Sequence, residues 1–156
     1  EGDAGRIVAK NNNTADLSGF WFFAFNPAGA NSIRFIKEGS TDLFRDSVAN
    51  VISLNVWQHF LVTWNGSVTA TNIHIYKNGV EVSYSVSTDG VTLSSDAALN
   101  LIIGNQDDGT RTFDGRIDEV RIYKRVLSNA EIRQLFTQGM KGRGTPSGSL
   151  SNPFIL

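Results

Sequence analysis

The chain has 156 residues, 40% of them hydrophobic and 19% charged, which is the composition of a single globular domain with a core of its own. Its formal net charge of −1 provides no electrostatic attraction to nucleic acid or to an acidic membrane surface, so neither is expected as a partner. The sequence has no cysteine, which excludes disulfides and thiolate metal sites, and its longest apolar run, Phe20–Phe25, is too short to span a membrane.

Most of the chain reads as short strands separated by turn residues. Apolar or alternating runs predict strands at Arg6–Lys10, Gly19–Phe25, Ser32–Ile36, Asp42–Arg45, Trp57–Trp64, Asn72–Lys77, Val80–Tyr84 and Asn100–Ile103. In one of these runs Phe60, Val62 and Trp64 share a face. The pair Asn78-Gly79 predicts a tight hairpin because both central residues of such a turn need positive φ. The spacing of the strands favours a two-sheet sandwich or a barrel.

The segment Phe113–Phe136 (FDGRIDEVRIYKRVLSNAEIRQLF) begins as a strand. Val120 and Ile122 alternate as inward residues do, but Ile117 has the wrong parity to share their face in a regular strand. A β-bulge near Asp118-Glu119 would add one residue and bring all three side chains to the core.

The same segment ends as a helix. Ser128 and Glu131 have the spacing of a capping box, in which each side chain bonds the backbone of the other residue. Apolar residues follow at helical spacing, and Gly139 stands where the helix should stop. We expect one short helix near 129–138 that packs its apolar side on the end of the sandwich.

Three blocks of the sequence resemble a known family. The segment Phe113–Phe136, together with Val56–Gly66 and Asn72–Val82, is similar to the laminin-G-like, or concanavalin-A-like, lectin-glucanase jelly-roll domains. The resemblance extends from about Arg6 to Phe136. It implies an all-β fold, a two-sheet antiparallel jelly-roll sandwich, to which the short C-terminal helix is added. Residues 1–138 would form this domain, and residues 139–156 a flexible Gly/Ser/Pro linker with an apolar tail.

The family's usual first strands have no counterpart in this sequence, and a chain that opens on Glu1 indicates a processed or excised piece. A sandwich without those strands would have an unpaired edge. A partner chain could supply the strand, the tail Pro153–Leu156 could fold back to supply it, or the chain could be a fragment of a longer polypeptide.

Catalysis is not expected, and the chain is predicted not to be an enzyme. Glycoside hydrolysis needs two carboxylates on one face, whereas Asp118 and Glu119 are adjacent and adjacent strand residues point apart. Structural roles are predicted instead: Asp118 bonds the backbone at the bulge, and Glu119 pairs with Arg121 or another surface charge.

Candidate ligand contacts fall in a polar loop between two strands at the rim of the sandwich. Its side chains are Asn105, Gln106, Asp107, Asp108 and Arg111. If the loop holds a metal, Asp107 and Asp108 are the predicted ligands and Ca²⁺ the predicted cofactor, since Ca²⁺ prefers such oxygens. An ordinary acidic turn would have the same composition.

Further ligand contacts are predicted on outer strand faces, at His74, Tyr76 and Tyr123, where a solvated face is the alternative. His59 is predicted to be a structural, hydrogen-bonded and partly buried histidine, because it matches a family position of that kind. The three tryptophans are predicted to be core residues; they are Trp21, Trp57 and Trp64.

Two functions of different class follow from the resemblance. The first is a non-catalytic recognition module that binds a glycan or glycoprotein at an extracellular, cell or virion surface. The second is a structural or decoration subunit of such a surface assembly, completed by exchange of a strand or of the tail with another protein chain.

Overall fold

The structure is a computed structural model that describes residues 5–11, 19–25, 30–141 and 153–155. Its strands are β1 (Arg6–Lys10), β2 (Phe20–Phe25), β3 (Ser32–Lys37), β4 (Gly39–Thr41), β5 (Leu43–Ser47), β6 (Gln58–Trp64), β7 (Ile73–Lys77), β8 (Val80–Glu81), β9 (Tyr84–Thr88), β10 (Val91–Leu93), β11 (Leu101–Ile103), β12 (Arg116–Asp118) and β13 (Pro153–Ile155). Helix α1 (Asn129–Gly139) follows β12.

Two main sheets form the predicted sandwich. The six-stranded sheet has the order β11-β1-β2-β3-β5-β9, with every neighbouring pair antiparallel. The five-stranded sheet has the order β12-β13-β6-β7-β8, and a two-stranded ribbon joins β10 to β4. The all-β, largely antiparallel architecture with one short C-terminal helix is therefore confirmed.

The C-terminal segment departs from the antiparallel pattern. Strand β13 lies between β12 and β6 and runs parallel to both, with Phe154 opposite Gln58 and Ile155 opposite His59. In this structure the tail itself lies in the sheet, which is the fold-back alternative among the three that the sequence left open.

The core fills the space between the two main sheets. Phe22 and Phe35 of the six-stranded sheet meet Phe60 and Ile75 of the five-stranded sheet in one buried cluster. Val62 and Trp64 pack against the same cluster, which confirms the face predicted for β6.

The strand that precedes the helix is kinked as predicted, but it is shorter. Glu119 has φ +55°, and this left-handed residue turns both Ile117 and Val120 toward the core cluster. The strand ends at Asp118, however, and Ile122 is 62% exposed, so its predicted inward position was wrong. Beyond the kink the chain leaves the sheet, and alternation no longer decides which side chains point inward.

Helix α1 begins with the predicted capping box: Ser128 Oγ accepts from the Glu131 N–H, and the Glu131 carboxylate accepts from the Ser128 N–H. The helix covers the outer face of β6 and β7 rather than the end of the sandwich, since Ile132 is buried with Tyr76 and Leu127. Within the described residues, no helix is both long enough and apolar enough to cross a membrane.

The turns show where the strand predictions hold and fail. Asn78 and Gly79 have φ +52° and +77°, as the hairpin between β7 and β8 requires. Val80–Tyr84 is not one strand: Val80–Glu81 stays beside β7, whereas Tyr84 begins a strand that pairs with β5 in the other sheet. The chain crosses between sheets at this point, which a run of alternating residues does not reveal.

Candidate functional site

Two rows of side chains cross the outer face of the six-stranded sheet. Strand register aligns one row from β1 to β5 and a second row from β2 to β5. They alternate with Phe20, Phe22 and Phe35, which point to the core. We call this set the arginine–aromatic face: Arg6, Trp21, Phe23, Arg34, Ile36, Phe44 and Asp46.

Arg6 stacks on two aromatic rings of this face. Its guanidinium carbon lies 4.3 Å from the Phe23 ring centroid and 5.0 Å from that of Trp21. Burial, with the repulsion of Arg111 second, lowers the pKa of Arg6 to about 10, although Glu38 and Asp108 oppose the shift. Arg6 therefore remains charged at neutral pH, but burial of its charged guanidinium group is unfavourable in free energy.

Several N–H donors meet where Arg6 stacks on Trp21. Arg6 Nε, Arg6 Nη1 and Trp21 Nε1 are buried and have no hydrogen-bond partner among the described residues. Both residues are half-buried as a whole, so part of each side chain reaches the surface. Unpaired buried donors are rare and costly in folded proteins, and a ligand oxygen would relieve this cost.

The neighbouring arginine is paired. Arg34 makes a bidentate ion pair with the buried carboxylate of Asp46, and its guanidinium carbon lies 4.5 Å from the Phe44 ring centroid. One end of the face thus has a neutralised arginine, and the other end has Arg6, which has no ion pair among the described residues.

The face combines two types of chemical group that saccharide sites use. Aromatic rings stack on the C–H faces of sugars, and guanidinium groups donate paired hydrogen bonds. An excess of positive charge at Arg6 favours a ligand that carries carboxylate or sulfate groups.

The rim loop predicted from the sequence adjoins this face. The Arg6 N–H donates to the carbonyl oxygen of Arg111, 3.0 Å away, which ties the loop to β1. Asp107 and Arg111 are exposed on the loop, and their contact with a ligand stays a prediction.

Three of the five predicted loop contacts instead hold the loop together. Asn105 Oδ1 accepts from the N–H groups of Gln106 and Arg111. The buried Gln106 amide donates to Asp108 and Thr110, and Asp108 Oδ1 also accepts from the Thr110 hydroxyl and N–H. The roles shown for Asn105, Gln106 and Asp108 are therefore structural.

This arrangement does not fit the predicted calcium site. Calcium needs six to eight oxygens that converge on one point, whereas Asn105 Oδ1 and Asp108 Oδ1 already accept from loop donors. The described residues also contain no cluster of three or more histidine or acidic residues that could hold a metal ion. We assign no role to Ca²⁺ at Asp107 and Asp108.

The outer-strand candidates lie elsewhere in the fold. His74 is half-exposed, and its Nδ1 lies 2.7 Å from the Glu81 carboxylate. Tyr76 is buried beneath helix α1, its hydroxyl 3.4 Å from Asn129, so the prediction of an exposed position was wrong. Tyr123 is 42% exposed and follows the kink at Glu119, so none of these three residues belongs to the arginine–aromatic face.

The predicted structural residues have mixed outcomes. Asp118 accepts from the Glu119 N–H at 2.8 Å, and Glu119 pairs with Arg121 at 2.5 Å, both as predicted. Trp57 is half-buried just before β6. His59 is buried, as predicted, but its Nδ1 has no hydrogen-bond partner within the described part of the chain. The prediction of a hydrogen-bonded histidine was therefore wrong for this nitrogen.

The sequence did not reveal the arginine–aromatic face. Trp21 was predicted to be core because nearly every residue of Gly19–Phe25 is apolar, yet it faces away from Phe20 and Phe22. The rows exist only through the register that sets Arg6, Phe23 and Arg34 side by side on three strands. The signal that could have indicated this face was strict alternation along β2, which places Trp21 and Phe23 on the same side of the strand.

The fold is a β-sandwich of the concanavalin-A-like type. A family model of laminin-G type, for the concanavalin A-like lectin/glucanases superfamily, matches residues 1–133. The chain belongs to this family, as its sequence blocks predicted.

Pentraxin-related protein PTX3 of Mus musculus is 32% identical to this chain over 94 residues. The match covers 53% of the chain but only 23% of the length of the mouse protein. No solved structure matches the chain significantly.

Proposed function

We propose that this domain is a non-catalytic recognition module that binds acidic saccharides on its arginine–aromatic face. The observation that carries the proposal is the Arg6 guanidinium, stacked on Phe23 and Trp21, charged and without an ion pair among the described residues. The lectin/glucanase family model and the partial match to a pentraxin-related protein support saccharide binding in general.

An anionic ligand is favoured over a neutral one for an electrostatic reason. Burial and Arg111 destabilise the charged form of Arg6, so a carboxylate or sulfate beside it would recover the lost stabilisation. Charge-assisted hydrogen bonds are also about twice as strong as neutral ones. Neutral sugars would gain only the stacking on Trp21 and the ordinary hydrogen bonds.

The test is an array of glycans that contains uronate polymers, sulfated polymers and neutral polymers of equal length. The wild-type chain should bind the acidic glycans preferentially, and Arg6→Gln should lose this binding. Arg133→Gln is the matched control, because Arg133 is an exposed arginine on helix α1, remote in the fold from the six-stranded sheet. Arms with Ca²⁺ and with EDTA should agree, since the rim loop does not fit the ion.

Two outcomes would refute the proposal. Binding of neutral glycans with no loss in Arg6→Gln would move the site away from this face. Binding that requires Ca²⁺ would return it to the oxygens of the rim loop, with Asp107 and Asp108 as the first residues to substitute.

No catalytic role is proposed, because Asp118 and Glu119 are engaged with backbone and with Arg121. We place the domain outside the cell or at a cell or virion surface, where acidic glycans occur.

A structural role in an extracellular or virion surface assembly is the second candidate. The observation that favours it is the position of β13, which pairs with only two residues of β6 and leaves Leu61–Trp64 without a second strand neighbour among the described residues.

A further inference from the structure

A strand-wide slot lies beside β6 on the side away from β7. On that side the described pairing of β13 ends at His59, so Leu61–Trp64 have a single strand neighbour, β7, among the described strand pairs. The opposite wall is the segment 120–127, which follows the kink at Glu119 and forms no described strand. We call the space between these walls the β6 slot.

A cavity of about 400 Å³ occupies this slot. Its floor is the apolar core of the sandwich, formed by Phe20, Phe22 and Phe35 of the six-stranded sheet. Its two sides are residues 60–64 of β6, with the adjacent Asn65, and residues 120–127. Among the described residues, this opening leaves both a sheet edge and part of the core uncovered, which folded domains ordinarily avoid.

We propose that the β6 slot is an acceptor for an extended strand from a partner protein. Strand β13 already shows that the slot has the width of one strand, because a strand sits at its near end with β6 on one side and β12 on the other. A donor strand would pair with Leu61–Trp64, beyond the end of β13, and place alternate side chains in the cavity.

The geometry defines the direction and pattern of the donor. Only one wall of the slot, β6, is a described strand, because residues 120–127 follow the kink at Glu119. A donor beyond the end of β13 can therefore run antiparallel to β6. Antiparallel pairing is the more stable arrangement and is the rule elsewhere in this fold. The donor needs at least five residues, apolar at every second position, because the floor is apolar and the outer side faces solvent.

The charge of the slot favours acidic flanks on the donor. The lining residues include Arg121, Lys124 and Arg125 but no aspartate or glutamate. Arg121 and Arg125 have carboxylate partners outside the lining, whereas the described residues give Lys124 none. A donor with glutamates at its ends would complement the positive charge of these lining residues.

The experiment uses the full chain and a labelled peptide of sequence Glu-Glu-Val-Thr-Val-Thr-Val-Glu-Glu. Fluorescence anisotropy measures binding, and amide hydrogen exchange locates it. The control peptide has proline in place of the central valine, because proline removes a donor from the strand ladder. The test variant is Ile122→Asp, which puts a carboxylate in the slot at a position that is 62% exposed, and its control is Val80→Asp on the exposed β7–β8 hairpin.

Peptide binding that protects amides of Leu61–Trp64 supports the proposal. We expect the proline peptide and the Ile122→Asp variant each to weaken binding about tenfold or more, and Val80→Asp to leave it unchanged. Arg6→Gln should also leave it unchanged, which separates this result from the test of saccharide binding.

Four results would overturn the proposal. The peptide could fail to bind, or the two peptides could bind equally well, which would indicate association without strand pairing. An apolar dye could bind the cavity without being displaced by the peptide, which would indicate a small-molecule pocket. Dimerisation of the chain alone, abolished by removal of residues 153–156, would assign the slot to the tail of a second copy.

Discussion

The imidazole ring of His59 lies 6.1 Å from the ring of Phe136, in the layer between β6 and helix α1. His59 is buried, and burial, with Arg121 as a second cause, lowers its pKa to about 4 from the ordinary value of 6.5. The folded state therefore binds this proton less readily than the unfolded state does.

The free energy of unfolding should depend on pH through this histidine. Because the folded pKa is depressed, the full stability is present above pH 6.5 and is lost as the pH falls toward 4. The pKa difference corresponds to about 3 kcal/mol. Denaturation of wild type, His59→Leu and His74→Gln between pH 4 and 7 measures it. The fall in the free energy of unfolding from pH 7 to pH 4 should be smaller in His59→Leu and unchanged in His74→Gln. An equal fall in His59→Leu and wild type would mean that other groups cause the pH dependence.

The kink at Glu119 should tolerate only residues that accept positive φ. Glu119→Asn and Glu119→Val both remove the ion pair with Arg121, but only asparagine adopts the left-handed conformation readily. We expect the valine variant to be less stable than the asparagine variant by about 1–2 kcal/mol in urea denaturation. Equal stabilities would mean that the strand is not kinked at this residue.

The backbone of β13 should contribute to the stability of the five-stranded sheet. Proline at position 154 removes an N–H from a strand that has neighbours on both sides, whereas alanine keeps it. Phe154→Pro should therefore unfold more easily than Phe154→Ala and exchange amide hydrogens faster in Arg116–Asp118. Identical exchange in the two variants would place the tail outside the sheet in solution.

The ion pair between Arg34 and Asp46 should oppose ligand binding while it stabilises the fold. Asp46→Asn removes a buried charged partner, and we expect it to cost about 1–3 kcal/mol of stability. The same change frees positive charge on the arginine–aromatic face and should tighten the binding of acidic saccharides. Asp107→Asn on the exposed rim loop is the control for stability. Weaker saccharide binding in Asp46→Asn would indicate that the carboxylate itself contacts the sugar.

Local sequence signals predicted local structure well. The hairpin at Asn78-Gly79 and the capping box of Ser128 and Glu131 depend on residues that are close in the chain, and both are present. The kink at Glu119 also followed from a local parity mismatch, although the exposure of Ile122 did not, because it depends on where the chain leaves the sheet.

The features that depend on register between distant strands were not predictable. The side-by-side arrangement of Arg6, Phe23 and Arg34 joins three strands, and no short-range pattern specifies their alignment. The burial of Tyr76 likewise depends on where the helix docks. The rim loop showed the converse: its polar residues suggested a ligand, whereas Asn105 accepts from loop N–H groups and Gln106 donates to Asp108 and Thr110.

The most direct test of saccharide recognition on this face is the indole N–H of Trp21 in a ¹H–¹⁵N NMR titration, with its signal assigned by its loss in Trp21→Phe. Tetragalacturonate should shift the Trp21 signal and the Arg6 Nε–H signal together, whereas a neutral tetrasaccharide should shift neither by a comparable amount. A titration in which tetragalacturonate leaves both signals in place, or moves only the signals of Trp57 and Trp64, would contradict the proposed site.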